Sequence, residues 1–341
     1  MSSSCPIILE FWRQRPEGCG EIPYSPIAVN TGSKLVVIDT GTGEANFEKT
    51  KGVSGQFDGN LKASGIDRNH VDIVIISHFH GDHINGLLAA DNKPAFPNAE
   101  VLVPAAEWKY FMDDAEMGKQ TTDRMKGVFS NARRVFDALN RKVTPYEPGK
   151  EVAPGITSVA TYGQTPGHKS HVVSSGSATV YVQADVTNNP VLFARNPGWH
   201  AFFDQDGAMA EATRRKVYDM LAADKMMVQG FHYPFPAVAF VEKTGSGYRE
   251  ILGIRHSDAD PRHPSKRVGK AAASGGLSAR QLTGRRARPI CPLHENAGCS
   301  KKFPPPPCHP GTGVALAPPC RPDLRLRQTS PIEFPPLAIF R

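Results

Sequence analysis

Three histidines and an aspartate stand within six residues, at His78, His80, Asp82 and His83. They follow an apolar run, residues 71–77, that predicts a buried strand, so the four side chains begin where a strand ends. Neutral imidazole is a ligand for zinc, iron or copper, and a carboxylate adds negative charge that favours a divalent cation. A histidine-rich surface loop is the plain alternative, but this spacing directly after a strand favours a metal site.

Three more donor groups follow, each at or just beyond the end of a predicted strand. His168 closes a Thr-Pro-Gly-His turn after the predicted strand at 156–162, Asp185 ends the run that starts at Val180, and His232 ends another short apolar run. Layered folds of helices and sheets collect site residues on loops at strand ends. A single aspartate or histidine at such a place is more often structural, but four donor groups at strand ends predict one shared site.

The order of these motifs is similar to that of the metallo-β-lactamase superfamily, in the branch that holds two metal ions. The resemblance covers about residues 23–251 and rests on the HxHxDH motif, the TPGH turn, the strand-end aspartate and the late histidine. Residues 39–43, 96–101 and 231–236 look closest to methyl parathion hydrolase and its lactonase-like relatives. The resemblance implies a layered α/β fold, the αββα sandwich in which two sheets pack face to face with helices outside.

The resemblance also implies how the ligands divide between two divalent ions. Zinc is the default metal for such donors, and iron, manganese or cobalt fit them as well. Asp39 is implied to steady the metal loop from behind rather than to bind a metal. The implied ligands are His78, His80 and His168 for the first ion, Asp82, His83 and His232 for the second, and Asp185 as a bridge between the two.

Two ions held in this way would trap a bridging hydroxide that attacks a carbonyl carbon or a phosphorus atom. Asp185 would hold the pair together and Asp82 would accept or relay a proton, so both are predicted to be catalytic. The sequence has no GxSxG motif and no cysteine between Cys19 and Cys291, so a covalent intermediate is not expected. The implied activity is metal-dependent hydrolysis of a small hydrophobic ester, lactone or organophosphate triester.

Aromatic residues near the last ligands predict a hydrophobic substrate pocket. Core packing is the alternative for about half of them. The candidate pocket residues are Trp199, Phe202, Phe203, Phe231, Tyr233 and Phe235.

Charge and composition divide the chain near residue 251. Residues 1–251 carry 25 Lys and Arg against 28 Asp and Glu, a net charge of −3, whereas residues 252–341 carry 15 against 5, a net charge of +10. That tail holds 15 of the 30 prolines, shows no strand or helix period, and its four cysteines match no compact zinc module. We predict an irregular segment at 1–21, a hydrolase domain at 22–251, and a Pro/Arg-rich tail at 252–341 that is disordered or read out of frame.

Two other functions remain open from the sequence. A nucleic-acid processing enzyme of the same superfamily could use the basic tail to bind phosphates, and the unusual ends could leave an inactive relic. The body has no basic stripe, which favours a small hydrophobic substrate over nucleic acid. No stretch approaches the roughly 20 apolar residues of a membrane span and no signal peptide is recognisable, so we expect a cytoplasmic protein, although some relatives are exported. Relatives often dimerise, which makes a homodimer a candidate assembly.

Apolar periodicity predicts the elements around the site. Two strands flank the turn at 31–33 as a hairpin, and helices are predicted at 56–64, 105–111, 118–139 and 207–223. The apolar stripe of the 118–139 helix is predicted to be core rather than a lid over the site.

Overall fold

The computed structural model describes residues 22–252 and 337–339 of the chain. The predictions for residues 1–21 and for 253–336, including the disordered or out-of-frame tail, lie outside the described residues. Within the described part of the chain, no helix combines the length and the apolar character needed to cross a membrane.

The described residues contain thirteen strands and seven α-helices, together with two short 3-10 helices (Arg68–His70 and Asn85–Leu87) and a π-helical turn (Pro190–Ala194). The strands are β1 (Ile27–Asn30), β2 (Leu35–Ile38), β3 (Ile73–Ile75), β4 (Glu100–Pro104), β5 (Thr144–Tyr146), β6 (Glu151–Ala153), β7 (Ile156–Ala160), β8 (Lys169–Ser175), β9 (Ala178–Val182), β10 (Met227–Gln229), β11 (Val238–Thr244), β12 (Gly247–Leu252) and β13 (Leu337–Ile339). The helices are α1 (Ala45–Lys49), α2 (Phe57–Ala63), α3 (Gly81–Ile84), α4 (Ala105–Phe111), α5 (Asp114–Gly118), α6 (Asp123–Ala138) and α7 (Gly207–Asp224).

These strands form two sheets. The first has the order β13-β1-β2-β3-β4-β5 and the second the order β12-β11-β10-β9-β8-β7-β6. Strands β2 to β5 run parallel, so their carboxyl ends meet at one edge of the first sheet. In the second sheet β9 and β10 are parallel neighbours, and their carboxyl ends meet in the same way. Strand β13 pairs antiparallel with β1, although it lies in the tail for which the sequence predicts no regular structure.

The two sheets pack on each other through an apolar layer of branched side chains. Ile27, Ile38 and Ile75 of the first sheet join Ile156 and Val182 of the second sheet in one buried cluster. Such residues fit the pleated surface of a strand, and they alternate with residues that face the opposite side of each sheet.

Helices cover the outer face of each sheet. On the first sheet, Phe129 and Phe136 of α6 are buried in one cluster with Val74 of β3. On the second sheet, Val217 of α7 is buried in one cluster with Val228 of β10. The predicted αββα sandwich is therefore confirmed, and the apolar stripe of α6 is core, as predicted.

The single helix predicted over 118–139 is wrong at its beginning. Helix α5 ends at Gly118 and α6 begins at Asp123, because the side chain of Thr122 accepts a hydrogen bond from the Met125 N–H and so caps a new helix. The apolar period continued across this break and concealed it in the sequence.

Candidate metal centre

Strand ends bring the seven predicted donors together. Residues 78–83 lie on the turn after β3 and on α3, His168 directly precedes β8, Asp185 follows β9, and His232 follows β10. A backbone hydrogen bond of 3.0 Å from Lys169 N to Ser77 O ties the loop of the first sheet to that of the second. Six of the donors are buried, and the seventh, Asp82, keeps a side chain that is 25% exposed.

Asp185 lies at the centre of this group. Its Oδ2 is 3.3 Å from His232 Nε2 and 4.0 Å from His78 Nε2, and its Oδ1 is 3.3 Å from His83 Nε2. Asp82 Oδ2 lies 3.4 Å from His232 Nε2 and 3.7 Å from His83 Nε2. Asp185 therefore reaches three imidazoles, and Asp82 shares two of them.

Two compact donor clusters result, each with its ligand atoms within 4.8 Å of one another. One consists of Asp82, His83 and His232, which is the set that the resemblance implies for the second ion. The other consists of His78, His83 and Asp185, whereas the resemblance implies His80 and His168 beside His78. These two histidines are nearby: His80 Nδ1 is 3.2 Å from His78 Nε2, and the His168 and His78 rings are 4.9 Å apart.

Orphaned polar atoms in the centre fit a divalent cation. His83 Nε2 and Asp185 Oδ1 are buried, make no regular hydrogen bond among the described residues, and face each other at 3.3 Å. Buried polar atoms in folded proteins are normally paired, and each unpaired one calls for an explanation. Imidazole nitrogens and carboxylate oxygens that converge on one small volume are the donors that bind zinc and similar ions.

Hydrogen bonds behind the donors fix the orientation of the rings. Asp39 adopts a left-handed conformation, with φ 58°, where β2 ends. Its carboxylate accepts hydrogen bonds of 2.8 Å from the N–H and the hydroxyl of Ser77, and lies 2.8 Å from His83 Nδ1. His232 Nδ1 donates to the Pro23 carbonyl at 2.9 Å. In both histidines Nδ1 is used behind the site, so Nε2 is the nitrogen that faces the other donors.

The histidines divide into two electrostatic groups. Burial lowers the pKa of His80 and of His168 to about 4 and lowers that of His78 well below its usual value, so these rings are neutral at pH 7. Burial opposes the charged form of His83 and His232 as well, but the neighbouring carboxylates outweigh it and raise the pKa of both rings, that of His83 well above its usual value. Without metal, the carboxylates therefore favour the protonated form of His83 and His232.

Glu107 of α4 connects two of the loops that carry donors, and sequence reasoning missed it. It is fully buried, its Oε2 accepts the Phe79 N–H at 2.9 Å, and its Oε1 accepts the Gly167 N–H at 2.6 Å. A Cβ on Gly167 would lie 2.4 Å from the Glu107 backbone nitrogen, so this approach requires glycine. The chain separates Glu107 from both partners, and only its place directly after β4 could have drawn attention to it.

Burial raises the pKa of Glu107 to about 7 from a usual value of 4.5. The folded chain therefore holds this proton more tightly than the unfolded chain does. The contribution of this group to stability is fully present below pH 4.5 and is lost as the pH rises through 7.

Replacing Glu107 by Ala is expected to destabilise the fold by about 2–6 kcal/mol, because two buried N–H groups lose their acceptor at roughly 1–3 kcal/mol each. Metal affinity is expected to fall by about 10–100-fold, as for other groups that hold ligands in place. Urea unfolding and metal titration measure the two effects. The control is Glu116→Ala on the surface, which removes an ion pair with Lys119 and is expected to change stability by less than about 0.5 kcal/mol. Equal behaviour of the two variants would contradict the role of Glu107.

The six aromatic residues predicted for the pocket occupy different environments. Phe231 is buried and stacks on the His83 ring at 4.0 Å. Tyr233 is buried in the cluster that Val217 of α7 forms with Val228 of β10, so both residues pack beneath the centre. Phe203 packs against a small cluster around Phe193. The remaining three side chains are exposed, namely Trp199, Phe202 and Phe235.

A cleft of about 770 Å³ has none of the seven donors in its wall, and of the six predicted aromatic residues only Phe235 lines it. Tyr24, Val53 and Phe57 are among its other described walls. The Tyr24 ring stands edge-on to the His232 ring at 5.6 Å, so this residue joins the cleft to the donors. Sequence analysis missed this wall because it is built from the loops around β1 and α2, far from the ligands in the chain.

An αββα sandwich with histidine and aspartate donors at the strand ends of both sheets is the architecture of the metallo-β-lactamase fold. Residues 20–225, more than half of the chain, match the family model of the Metallo-beta-lactamase superfamily. The chain belongs to this superfamily, as its motifs indicate.

Its similar proteins include lactonases, in agreement with a lactonase-like branch. The chain is 28% identical over 163 residues to an N-acyl homoserine lactonase of a Bacillus species, which covers 46% of this chain and 54% of the lactonase. The N-acyl homoserine lactonase AiiA of Bacillus thuringiensis subsp. kurstaki is 28% identical over 130 residues, 37% of this chain and 44% of that protein. The chain thus spans about half the length of the curated relatives it matches.

Solved structures show the same fold. AidC, a dizinc quorum-quenching lactonase in complex with a product, superposes with a TM-score of 0.61 at 24% identity, over 67% of this chain and 79% of AidC. The hydrolase AbOPH superposes with a TM-score of 0.64 at 24% identity, over 72% of this chain and 84% of AbOPH. At these identities the likeness concerns the fold alone.

Proposed function

We propose that the protein is a dinuclear metal-dependent hydrolase that acts on a small hydrophobic lactone, ester or phosphotriester. The convergence of seven histidine and aspartate donors, with unpaired buried atoms at their centre, carries this proposal. The similarity to N-acyl homoserine lactonases puts lactones first among the candidate substrates.

The proposed ligands are those that the resemblance implies. His78, His80 and His168 would hold the first ion, Asp82, His83 and His232 the second, and Asp185 would bind both. When bound, the two ions would supply Lewis acidity and lower the pKa of a water molecule toward neutrality. Asp185 suits a bridging role because it lies close to histidines of both sets, with Oδ1 3.3 Å from His83 Nε2 and Oδ2 4.0 Å from His78 Nε2. Zinc is our first choice of metal, since imidazole and carboxylate ligands suit it.

Proton transfer and substrate orientation are assigned to residues at the open side of the centre. Asp82 is the most exposed of the donors and can exchange a proton with solvent. Burial and the charges of Asp82 and Asp185 raise the pKa of Tyr24, so its phenol stays protonated and can donate a hydrogen bond to a substrate oxygen. His83 and His232 are held by their outer hydrogen bonds and present Nε2 to the centre.

The cleft supports a neutral apolar substrate. Every described residue that lines it is uncharged, and Val53, Phe57 and Phe235 give it an apolar surface. A polyanionic nucleic acid would require cationic walls to neutralise its phosphates. An acyl chain or an aryl group next to the scissile bond fits these walls better.

The proposal is tested by metal analysis together with turnover. We expect about two metal ions per chain, hydrolysis of an N-acyl homoserine lactone, and loss of that hydrolysis with a chelator followed by recovery with zinc. An aryl phosphotriester measured in parallel decides between the two substrate classes. Fewer than one ion per chain and no turnover after reloading with zinc, cobalt or manganese would contradict the proposal and favour the inactive relic.

A further inference from the structure

One polar side chain inside the centre is not among the seven donors. The Gln164 amide nitrogen lies 2.7 Å from His80 Nδ1 and 3.2 Å from Asp185 Oδ2. The residue is 3% exposed, so this amide sits among the donors and not at the rim of the cleft. Both of its partners belong to the ligand set proposed for the same ion.

The other end of the amide has no partner. Gln164 Oε1 is buried and makes no hydrogen bond to any described residue. A buried carbonyl oxygen normally accepts at least one hydrogen bond, so an orphaned one on an amide that contacts two of the donors needs a reason. The amide oxygen is therefore not committed to another group among the described residues.

The backbone holds Gln164 in this position. Gly163 has φ 127°, and a Cβ there would lie 2.3 Å from the Ala210 nitrogen, so α7 packs directly on this glycine. The Gln205 N–H donates to the Gln164 carbonyl at 3.1 Å, and the Asp206 N–H donates to the Gly163 carbonyl at 2.9 Å. The loop is therefore fixed to the start of α7, and the side chain is directed to the donors by a constrained backbone.

The 3.2 Å distance to Asp185 Oδ2 matches the spacing of neighbouring ligands of one ion, and the 2.7 Å distance to His80 Nδ1 is shorter and has the length of a hydrogen bond. Ligand bonds of about 2.0–2.2 Å place adjacent ligand atoms roughly 2.9–3.5 Å apart. In the metal-free arrangement the Gln164 N–H groups donate to His80 and Asp185, which is the interaction that a cation would replace. Half a turn of the amide exchanges its nitrogen and oxygen and puts Oε1 in that position.

We propose that Gln164 is a further ligand of the ion held by His78, His80 and His168, through its amide oxygen. The inference rests on the proposed metal centre and extends its ligand set by one neutral oxygen. Amide oxygens are established ligands of divalent cations, and they favour harder metals than imidazole does.

The test is a cobalt titration of the full chain, followed by visible absorption, for wild type and three variants. Gln164→Leu is expected to weaken the binding of one of the two ions by at least about tenfold and to change the absorption bands of that ion alone. Gln164→Glu, which keeps an oxygen ligand, is expected to bind both ions at least as tightly as wild type. Gln120→Leu, on the loop between α5 and α6, is the control and is expected to leave both ions unchanged, because among the described residues its amide contacts only Tyr110 and Glu116.

Unchanged affinity and an unchanged spectrum in Gln164→Leu would overturn the assignment of Gln164 while leaving the dinuclear centre intact. Thermal unfolding of the metal-free variants separates loss of a ligand from loss of the fold, and Gln164→Glu keeps the test decisive if Gln164→Leu is unstable. A wild-type chain that binds only one cobalt ion would contradict the proposed dinuclear function, and weakening of that ion in Gln164→Leu would still support the ligand.

Discussion

Replacing Asp185 by Asn is expected to lower kcat/KM by about 10³-fold or more and to leave at most one metal ion per chain. Its two oxygens reach His83, His232 and His78 within 4.0 Å, a wider reach than Asp82 has. An amide offers one weaker oxygen donor in place of two charged ones, so the proposed bridge between the two ions would be lost. Several kcal/mol of transition-state stabilisation depend on bound metal, and about 4 kcal/mol corresponds to 10³-fold in rate.

The matched control for this change is Asp206→Asn. Asp206 caps α7 by accepting the Met209 N–H, and Asn is as good a cap as Asp. We therefore expect full metal content and activity in this variant, measured by metal analysis and steady-state kinetics side by side. Retention of two ions and of wild-type kinetics in Asp185→Asn would contradict the bridging role proposed for Asp185.

Lowering the pH from 7 to 5 is expected to release the two ions in separate steps. The pKa of His80 and of His168 lies near 4, so protons do not compete for these ligands until the pH approaches that value. The pKa of His83 and of His232 is raised by the carboxylates around them, so protons compete with a metal for both rings, most strongly for His83. Below the pKa of such a ring, metal affinity falls by about tenfold per pH unit. Two pH units therefore lower the affinity for the ion proposed at Asp82, His83 and His232 by about 10²-fold or more.

Dialysis at pH 7, 6 and 5 followed by metal analysis measures this difference. One ion is expected to be lost before the other, and zinc titration of the metal-free protein at pH 7 in weak buffer is expected to release protons. Asp39→Asn, which removes a carboxylate 2.8 Å from His83 Nδ1, is expected to reduce that proton release. Loss of both ions in a single step, without proton release at pH 7, would show that the two groups of histidines do not differ.

The sequence predicted the seven donors because each lies at the end of a strand with a clear apolar pattern. Parallel strands place their carboxyl ends at a common edge, so the meeting of Asp185 and His232 follows from the order of β9 and β10. Glu107 and Gln164 could not be found in this way. Each depends on contacts across the fold, such as the two N–H groups that Glu107 accepts from separate loops.

The direction in which a side chain points was the second property that could not be predicted. Phe231 and Tyr233 are both next to His232, yet one stacks on His83 and the other enters the core under α7. Sequence neighbourhood placed them near the site but did not indicate which way they point. The break between α5 and α6 was missed for a related reason, since a capping threonine is a weaker signal than an apolar stripe.

The pairing of β13 with β1 has a consequence for any shortened form of the protein. Strand β1 has β2 on one side and β13 on the other, so its backbone groups are used in both directions. A chain that ended at residue 252 would keep all seven donors but would present a free row of N–H and C=O groups along β1. Free strand edges recruit strands from other molecules. Aggregation of such a fragment would therefore indicate that the edge of the first sheet at β1 is exposed. The specific activity of the monomeric fraction would have to be measured separately from the yield of protein.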